Sequence, residues 1–299
     1  METMVKAPAK LNLFLDITGR RSDGYHFVDM VMQSVSLYDD VTVSIDEGTE
    51  SITIECSDPA IPCDETNTAY KAVKLFYEAV GQSVPAVRVN ILKRIPSQAG
   101  MAGGSSDAAA VLKALNLLTK ASLSDEELEK IAASIGADVP FCIKGGTVRA
   151  TGIGTDLEEL PPMPDCVFVI VKPEINISTG MAYRRSDEAG YGSPADIAPV
   201  LDGLRSGDAG MVAKGLYNKF EDVLELPEVV SIKEQLISYG ALGAAMTGSG
   251  SAVFGIFSAD VRHRPAPLTD KQRNHKNTNT ALLDELTQRL GAVTAFPEK

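Results

Sequence analysis

The stretch IPSQAGMAGGSSDAAAVLKALN, residues 95–116, constrains this chain more than any other. Between Gln98 and Asp107 it holds seven Gly, Ala or Ser residues, interrupted only by Met101. It then becomes a helix with Ala108, Val111, Leu112 and Leu115 on one stripe. Glycine loses more backbone entropy on folding than any other residue, so such a run marks an unusual turn or a close approach to backbone. Unobstructed N–H groups at a helix N-terminus also form an anion site. No Gly-Lys-Ser/Thr follows, and the glycines fall as GxxGG rather than GxGxxG, so this is neither a Walker A loop nor a dinucleotide fingerprint. Taken alone, the loop fits a phosphate cradle or a tight strand-to-helix connection.

The rest of the chain mixes strands and helices. Residues 5–17, 29–37, 41–45, 51–56 and 86–95 read as strands, the last with Val87, Val89 and Ile91 alternating. A first helix begins at NTAYKAVKLFYEAVG, with Tyr70, Val73, Tyr77 and Val80 on one face and Gly81 as its stop. Ser124 and Glu127 form a capping box for another, which Gly136 ends. Strands return at GGTVRATG and CVFVIVKP. Three prolines between positions 161 and 164 mark the expected boundary between an N-terminal domain, 1–160, and a C-terminal one, 161–299. Beyond it lie the helix PEVVSIKEQLISYG, the strand AVFGIF, the helix ALLDELTQRL and the strand AVTAF. Residues 261–280 are polar, basic and poor in structure formers, and read as a mobile loop.

Composition excludes several function classes. At 299 residues and 44% hydrophobic, the chain can build one large domain or two ordinary ones. A net charge of −12 argues against a nucleic-acid partner, so an anionic ligand needs a locally positive pocket. No run of 18 apolar residues points to a membrane span, and METMVKAPAK lacks a signal-peptide core, so a cytoplasmic location is expected. Cys56, Cys63, Cys142 and Cys166 have neither CxxC spacing nor scaffold density, and read as buried thiols.

Three further stretches change the reading of the loop. APAKLNLFLDITGRRSDGYH sets Lys10 and Asn12 on one face of a strand and carries Tyr25 and His26 in the turn that follows. GADVPFC puts Asp138 just after a helix stop and ahead of Pro140. AAMTGSGSAVFGIF offers a second small-residue turn between two strands. In this order the four motifs resemble the GHMP kinase superfamily of small-molecule kinases, over about Val5 to Phe257. PAKLNL followed by GRRSDGYH is most similar to a branch whose substrate carries a cytidine diphosphate head.

The resemblance implies an α/β (α+β) protein of two lobes, the first like domain 2 of ribosomal protein S5 and the second ferredoxin-like, with the active site between them. It implies ATP-dependent phosphorylation of the 2-hydroxyl of cytidine diphosphate methylerythritol, in non-mevalonate isoprenoid synthesis. Pro96, Ser97, Gln98, Ala99, Gly100, Met101, Ala102, Gly103, Gly104, Ser105 and Ser106 would wrap the ATP phosphates, and Ser105 or Ser106 would help hold Mg²⁺. Asn67 matches a position beside the adenine, or else caps a helix. Asp138 would be the general base and Lys10 its cationic neighbour. Asn12, Tyr25, His26, Thr179 and Tyr183 would bind substrate, with Tyr183 stacking on cytosine. The expected partners are that substrate and ATP, with monomer and homodimer both open. The alternatives are a homoserine or mevalonate type of kinase, or a non-catalytic nucleotide-binding regulator, which would have no need of the Lys10 and Asp138 pair. Gln98 and Ala102 stand where the family often has glycine, which is harmless only where φ is negative. Residues 262–280 do not look like the family's C-terminal helix.

Overall fold

A computed structural model describes residues 1–46, 48, 50–259 and 286–298. The segment read as a mobile loop, 261–280, lies outside the described residues, as does the start of the helix expected at ALLDELTQRL. The first sheet has seven strands: β1 (Glu2–Arg20), β2 (His26–Asp46), β3 (Ser51–Cys56), β4 (Ala86–Leu92), β5 (Thr147–Thr151), β6 (Asp156–Glu159) and β8 (Tyr217–Asn218). Its main path runs β3-β4-β2-β1-β8, with β5 joining β2 beyond the end of β4 and β6 pairing with β5. The second sheet orders β7 (Cys166–Val171), β9 (Gly243–Met246), β10 (Val253–Ser258) and β11 (Val293–Ala295) as β11-β7-β10-β9, all antiparallel.

Strand β1 explains how the layers stack. A strand buried on both faces reads as a continuous apolar run, and residues Ala9 to Asp16 are all buried. Leu15 and Ile17 pack with Phe76, Leu112 and Phe141 under the helices, whereas Leu11 and Leu13 pack with Phe168, Phe254 and Ile256 of the second sheet. The helical layer comprises α1 (Thr68–Ala79), α2 (Gly103–Thr119), α3 (Asp125–Ala133) and α4 (Val139–Lys144). Later come α5 (Thr179–Ala189), α6 (Ala198–Ser206), α7 (Ala209–Lys214), α8 (Lys219–Val223) and α9 (Pro227–Ser238). Tyr217 and Asn218, from the C-terminal half, run parallel to Phe14 and Leu15 and tie that half to the first sheet.

Several expectations are corrected. Strands read separately at 29–37 and 41–45 form one strand, β2, because the aspartates between them do not break it: Asp39 is buried and its carboxylate accepts the backbone N–H groups of Arg94 and Ile95. The polar strand β6 has no apolar alternation to betray it. Asp138 does not merely trail a helix stop but opens α4, whose Pro140 sits in the first turn, where a missing N–H is harmless. Helix α1 buries Ala69, Ala72, Val73, Phe76 and Tyr77, leaving Tyr70 and Val80 at the rim of the expected face. The capping box on α3 is made on both sides, although α3 ends at Ala133 rather than at Gly136. Of the four cysteines only Cys142 and Cys166 are buried; Cys56 is half-buried and Cys63 exposed.

Candidate active site

Lys10 lies in the buried middle of β1 and is only 4% exposed. Its ammonium sits 4.0 Å from Asp138 Oδ2 and donates to Asn12 Oδ1. Asp138 precedes α4 without capping it, so its carboxylate remains 35% exposed. Both residues line a cavity of about 590 Å³ with Gln98, Gly100, Ala102, Thr179, Tyr183 and the 248–250 turn. Asn12, expected to touch a substrate, does not line it. Its carboxamide oxygen accepts from the Gly248 N–H at 3.0 Å, and its own N–H donates to Thr247 Oγ1 at 3.0 Å. Fully buried, Asn12 ties β1 to the second small-residue turn instead.

The small-residue loop is shaped by that same turn. A Cβ on Gly100 would stand 2.1 Å from the Thr247 carbonyl oxygen, and one on Gly248 would stand 2.7 Å from the Gly100 carbonyl oxygen. The Ala252 N–H also donates to Ala99 O at 3.2 Å. Two backbones in contact therefore require glycine here, whatever else approaches. Ala99 and Met101 are buried in the core, Pro96 and Ser97 lead in from β4, and Ser97 Oγ donates to Asp58 at 2.9 Å. Gln98 and Ala102 adopt φ of 52° and 58°, the left-handed region, so their replacement of glycine is not free of strain. Ala102 is the N-cap of α2 and offers no side-chain cap, so Gly103, Gly104 and Ser105 open the helix without one. Ser106 is 1% exposed and donates to Pro8 O at 2.7 Å, whereas Ser105 is half-buried and its hydroxyl has no hydrogen-bond partner among the described residues.

Asn67 is nearby, since Thr68 Oγ1 donates to Gly104 O at 2.7 Å. Both ends of its side chain are occupied, however. Oδ1 caps α1 through the Ala69 N–H and the amide donates to Pro62 O. Of its two sequence readings, the structure displays the helix cap.

The opposite wall comes from α5. Thr179 Oγ1 pairs with Ser249 Oγ at 2.8 Å. The Tyr183 ring stacks on His26 with centroids 4.4 Å apart and planes at 23°, and meets Phe220 edge-on. Burial, with a contribution from the Asp138 charge, pushes the Tyr183 phenol up to about 12. Tyr25 is 59% exposed at the turn between β1 and β2. Sequence reading missed the group that holds His26. Asp187 receives His26 Nε2 at 2.7 Å, the Arg20 guanidinium at 2.9 Å and the Tyr191 hydroxyl. Hydrogen bonds from Tyr191 and then His26 hold its carboxyl below the usual range. Asp187 stands four residues after Tyr183, on the same face of α5, and that spacing was the available signal.

A second missed group lies beneath the loop. Lys93 Nζ bridges Asp39 and Asp107, each nearly inaccessible. Among the described residues no cluster of three or more His, Cys, Asp or Glu side chains could hold a metal, and no helix is long and apolar enough to cross a membrane.

Known proteins resemble this chain along most of its length. Residues 67–146 match the model of the GHMP kinases N terminal domain and residues 200–269 that of the GHMP kinases C terminal. The chain is 44% identical over 272 residues to the 4-diphosphocytidyl-2-C-methyl-D-erythritol kinase of Desulfitobacterium hafniense, covering 90% of this chain and 92% of that protein. It is 43% identical over 255 residues to the protein of the same name from Clostridium tetani, covering 85% and 90%. A crystal structure of 4-(cytidine 5'-diphospho)-2C-methyl-D-erythritol kinase superposes with a TM-score of 0.78 at 30% identity, over 99% of this chain and all of that one. A homoserine kinase from Cytophaga hutchinsonii shares the fold alone, with a TM-score of 0.73 at 18% identity over 99% and 94%. With both halves of the family's model matched in order and relatives this similar along nearly the whole chain, the protein belongs to the GHMP kinases.

Proposed function

We propose that this chain transfers the γ-phosphoryl group of ATP to the 2-hydroxyl of 4-diphosphocytidyl-2-C-methyl-D-erythritol. One juxtaposition carries the reading: a buried lysine and a half-exposed aspartate, 4.0 Å apart, stand in one cavity between an uncapped helix N-terminus and an aromatic wall. Phosphoryl transfer asks mainly for alignment and for stabilisation of charge on the transferred group. In this reading the loop from Pro96 to Ser106 holds the phosphates on backbone N–H groups at the positive end of α2. Asp138 accepts the proton of the attacking hydroxyl, and the Lys10 ammonium stabilises charge on the attacking oxygen.

Mg²⁺ prefers oxygen donors and phosphate. The Ser105 hydroxyl, half-buried and without another partner among the described residues, fits it better than Ser106, which is tied to Pro8. When bound, the ion would neutralise phosphate charge. The pyrimidine head belongs against Tyr183, His26 and Tyr25; because His26 already covers one face of Tyr183, a base stacks on the outer side of this pair rather than between its members. We place the division between the two contributing domains at residues 160 and 161.

An ADP-release assay with three acceptors tests the substrate. The cytidylylated methylerythritol should turn over, while mevalonate and homoserine should be at least about a thousandfold poorer in kcat/KM, as expected where remote binding energy aligns the reacting group. Equal turnover of mevalonate or homoserine would refute the assignment.

A further inference from the structure

Strand β4 ends at Leu92, the small-residue loop spans roughly residues 96–102, and α2 begins at Gly103. Lys93 reaches both ends of that loop from below. On the upstream side its ammonium pairs with Asp39, whose other oxygen accepts the Ile95 N–H at 2.8 Å and the Arg94 N–H. On the downstream side it donates to Asp107 Oδ2 at 2.7 Å, just past the first turn of α2. A Cβ on Gly103 would lie 3.2 Å from Lys93 Nζ, so the ammonium rests directly against the first residue of the helix.

The charge balance of this cluster is unfavourable. Lys93, Asp39 and Asp107 have side-chain exposures of 7%, 0% and 5%, and two carboxylates share one ammonium. Lys93 with Asp39 alone would be a neutral, hydrogen-bonded pair. Among the described residues the additional carboxylate is buried without a second cation, and Asp107 Oδ1 has no hydrogen-bond partner. Burial of this kind is destabilising unless it is compensated. A group that destabilises its own surroundings is characteristic of a functional position.

We propose that Lys93 is a positioning residue for ATP binding, which fixes the two ends of the phosphate loop relative to each other through Asp39 and Asp107. The proposal rests on residues 96–106 being the phosphate cradle. Lys93 touches no ligand in this account. It sets the spacing between the Ile95 end and the Gly103 end, and so the curvature of the backbone N–H groups between them. Asp107 links the ammonium to the helix and is retained for that link.

Calorimetric titration of the full chain with MgATP, without acceptor, tests this together with separate titration of the acceptor. Asp107→Ala should weaken ATP by about tenfold or more, a loss near 1.4 kcal/mol. It should leave acceptor affinity within about twofold, and the melting temperature should stay within about 3 °C of wild type or rise, because a buried charge has gone. Asp107→Asn, whose amide oxygen still accepts from Lys93, should return ATP affinity to within about threefold of wild type. Lys93→Met should weaken ATP at least as much as Asp107→Ala, but it strands two carboxylates and can unfold the protein, so the Asp107 variants decide. Wild-type ATP affinity in Asp107→Ala would overturn the proposal alone, as would an Asp107→Asn variant as weak as Asp107→Ala. A wild-type protein that bound no ATP would overturn the phosphate-loop reading and the proposal with it.

Discussion

Single residues in this protein differ sharply in how far sequence exposes their role. Lys10 could be placed on a strand face beside Asn12 from alternation alone, yet its burial and its distance of 4.0 Å from Asp138 depend on how α4 docks on β1. Asn12 shared every sequence signal with Lys10, yet it is a tie to the 247–250 turn: its carboxamide oxygen accepts the Gly248 N–H, and its backbone N–H donates to Thr247 Oγ1. Ala102 settles the condition that sequence left open: its φ of 58° is positive, so alanine in place of glycine is not harmless there. Ala102→Gly should therefore hold or raise stability, by up to about 1 kcal/mol once glycine's extra chain entropy is subtracted, as a melting curve will show. Ala102→Val should lower stability as well as ATP binding, since a β-branched residue is poorly tolerated at positive φ. Asp107 gives a pH prediction. Burial first, and the Asp39 carboxylate after it, push its carboxyl up to about 7 against the opposing pull of Lys93. The folded state thus binds a proton that the unfolded state has already released, and this group lowers stability as pH rises from about 4 to about 7. Asp107→Asn should flatten the melting temperature across that window; an unchanged slope would remove Asp107 as its source.

Among elements, those with a strong period or a cap were readable and those shaped by tertiary partners were not. Helices α1, α2, α3 and α9 declared themselves through stripes, the Asn67 and Ser124 caps, or Pro227 in the first turn. Strand β2 read as two strands, because the burial of Asp39 by Lys93 and two backbone amides is not encoded nearby in sequence. The contact between the loop at Gly100 and the turn at Gly248 joins segments far apart in the chain, though both appeared as glycine clusters. Gly100→Ala should force them apart. With the new methyl 2.1 Å from a carbonyl oxygen at φ 73°, it should cost about 2–4 kcal/mol and several degrees of melting temperature. Helix α5 supports a different prediction. Tyr183→Ala removes the platform on which His26 rests and should cost about 1–3 kcal/mol in binding the cytidylylated substrate, a roughly 5- to 150-fold loss in kcat/KM, with KM for ATP hardly moved. A selective loss of ATP affinity instead would show that the aromatic wall belongs to the other ligand.

At the scale of the molecule, the two-layer arrangement around β1 accounts for why the site lies where it does. One strand, buried on both faces, carries Lys10 between a helical layer that supplies the loop and Asp138 and a C-terminal half that supplies Thr179, Tyr183 and the 247–250 turn. Four motifs in family order made this architecture legible in the sequence, and the four-residue spacing of Tyr183 and Asp187 was a trace of the support of His26; Arg20 and the Lys93 cluster stayed hidden because ion pairs between distant segments leave no periodic trace. The central claim is that this junction is a phosphoryl-transfer site with Asp138 as its base. Asp138→Asn, which preserves shape and removes the base, tests it most directly, with kcat and the ATP dissociation constant measured on the same preparation. The account predicts a kcat lower by roughly 10²–10⁴ with ATP affinity and melting temperature near wild type. Turnover by Asp138→Asn at close to the wild-type rate would contradict it.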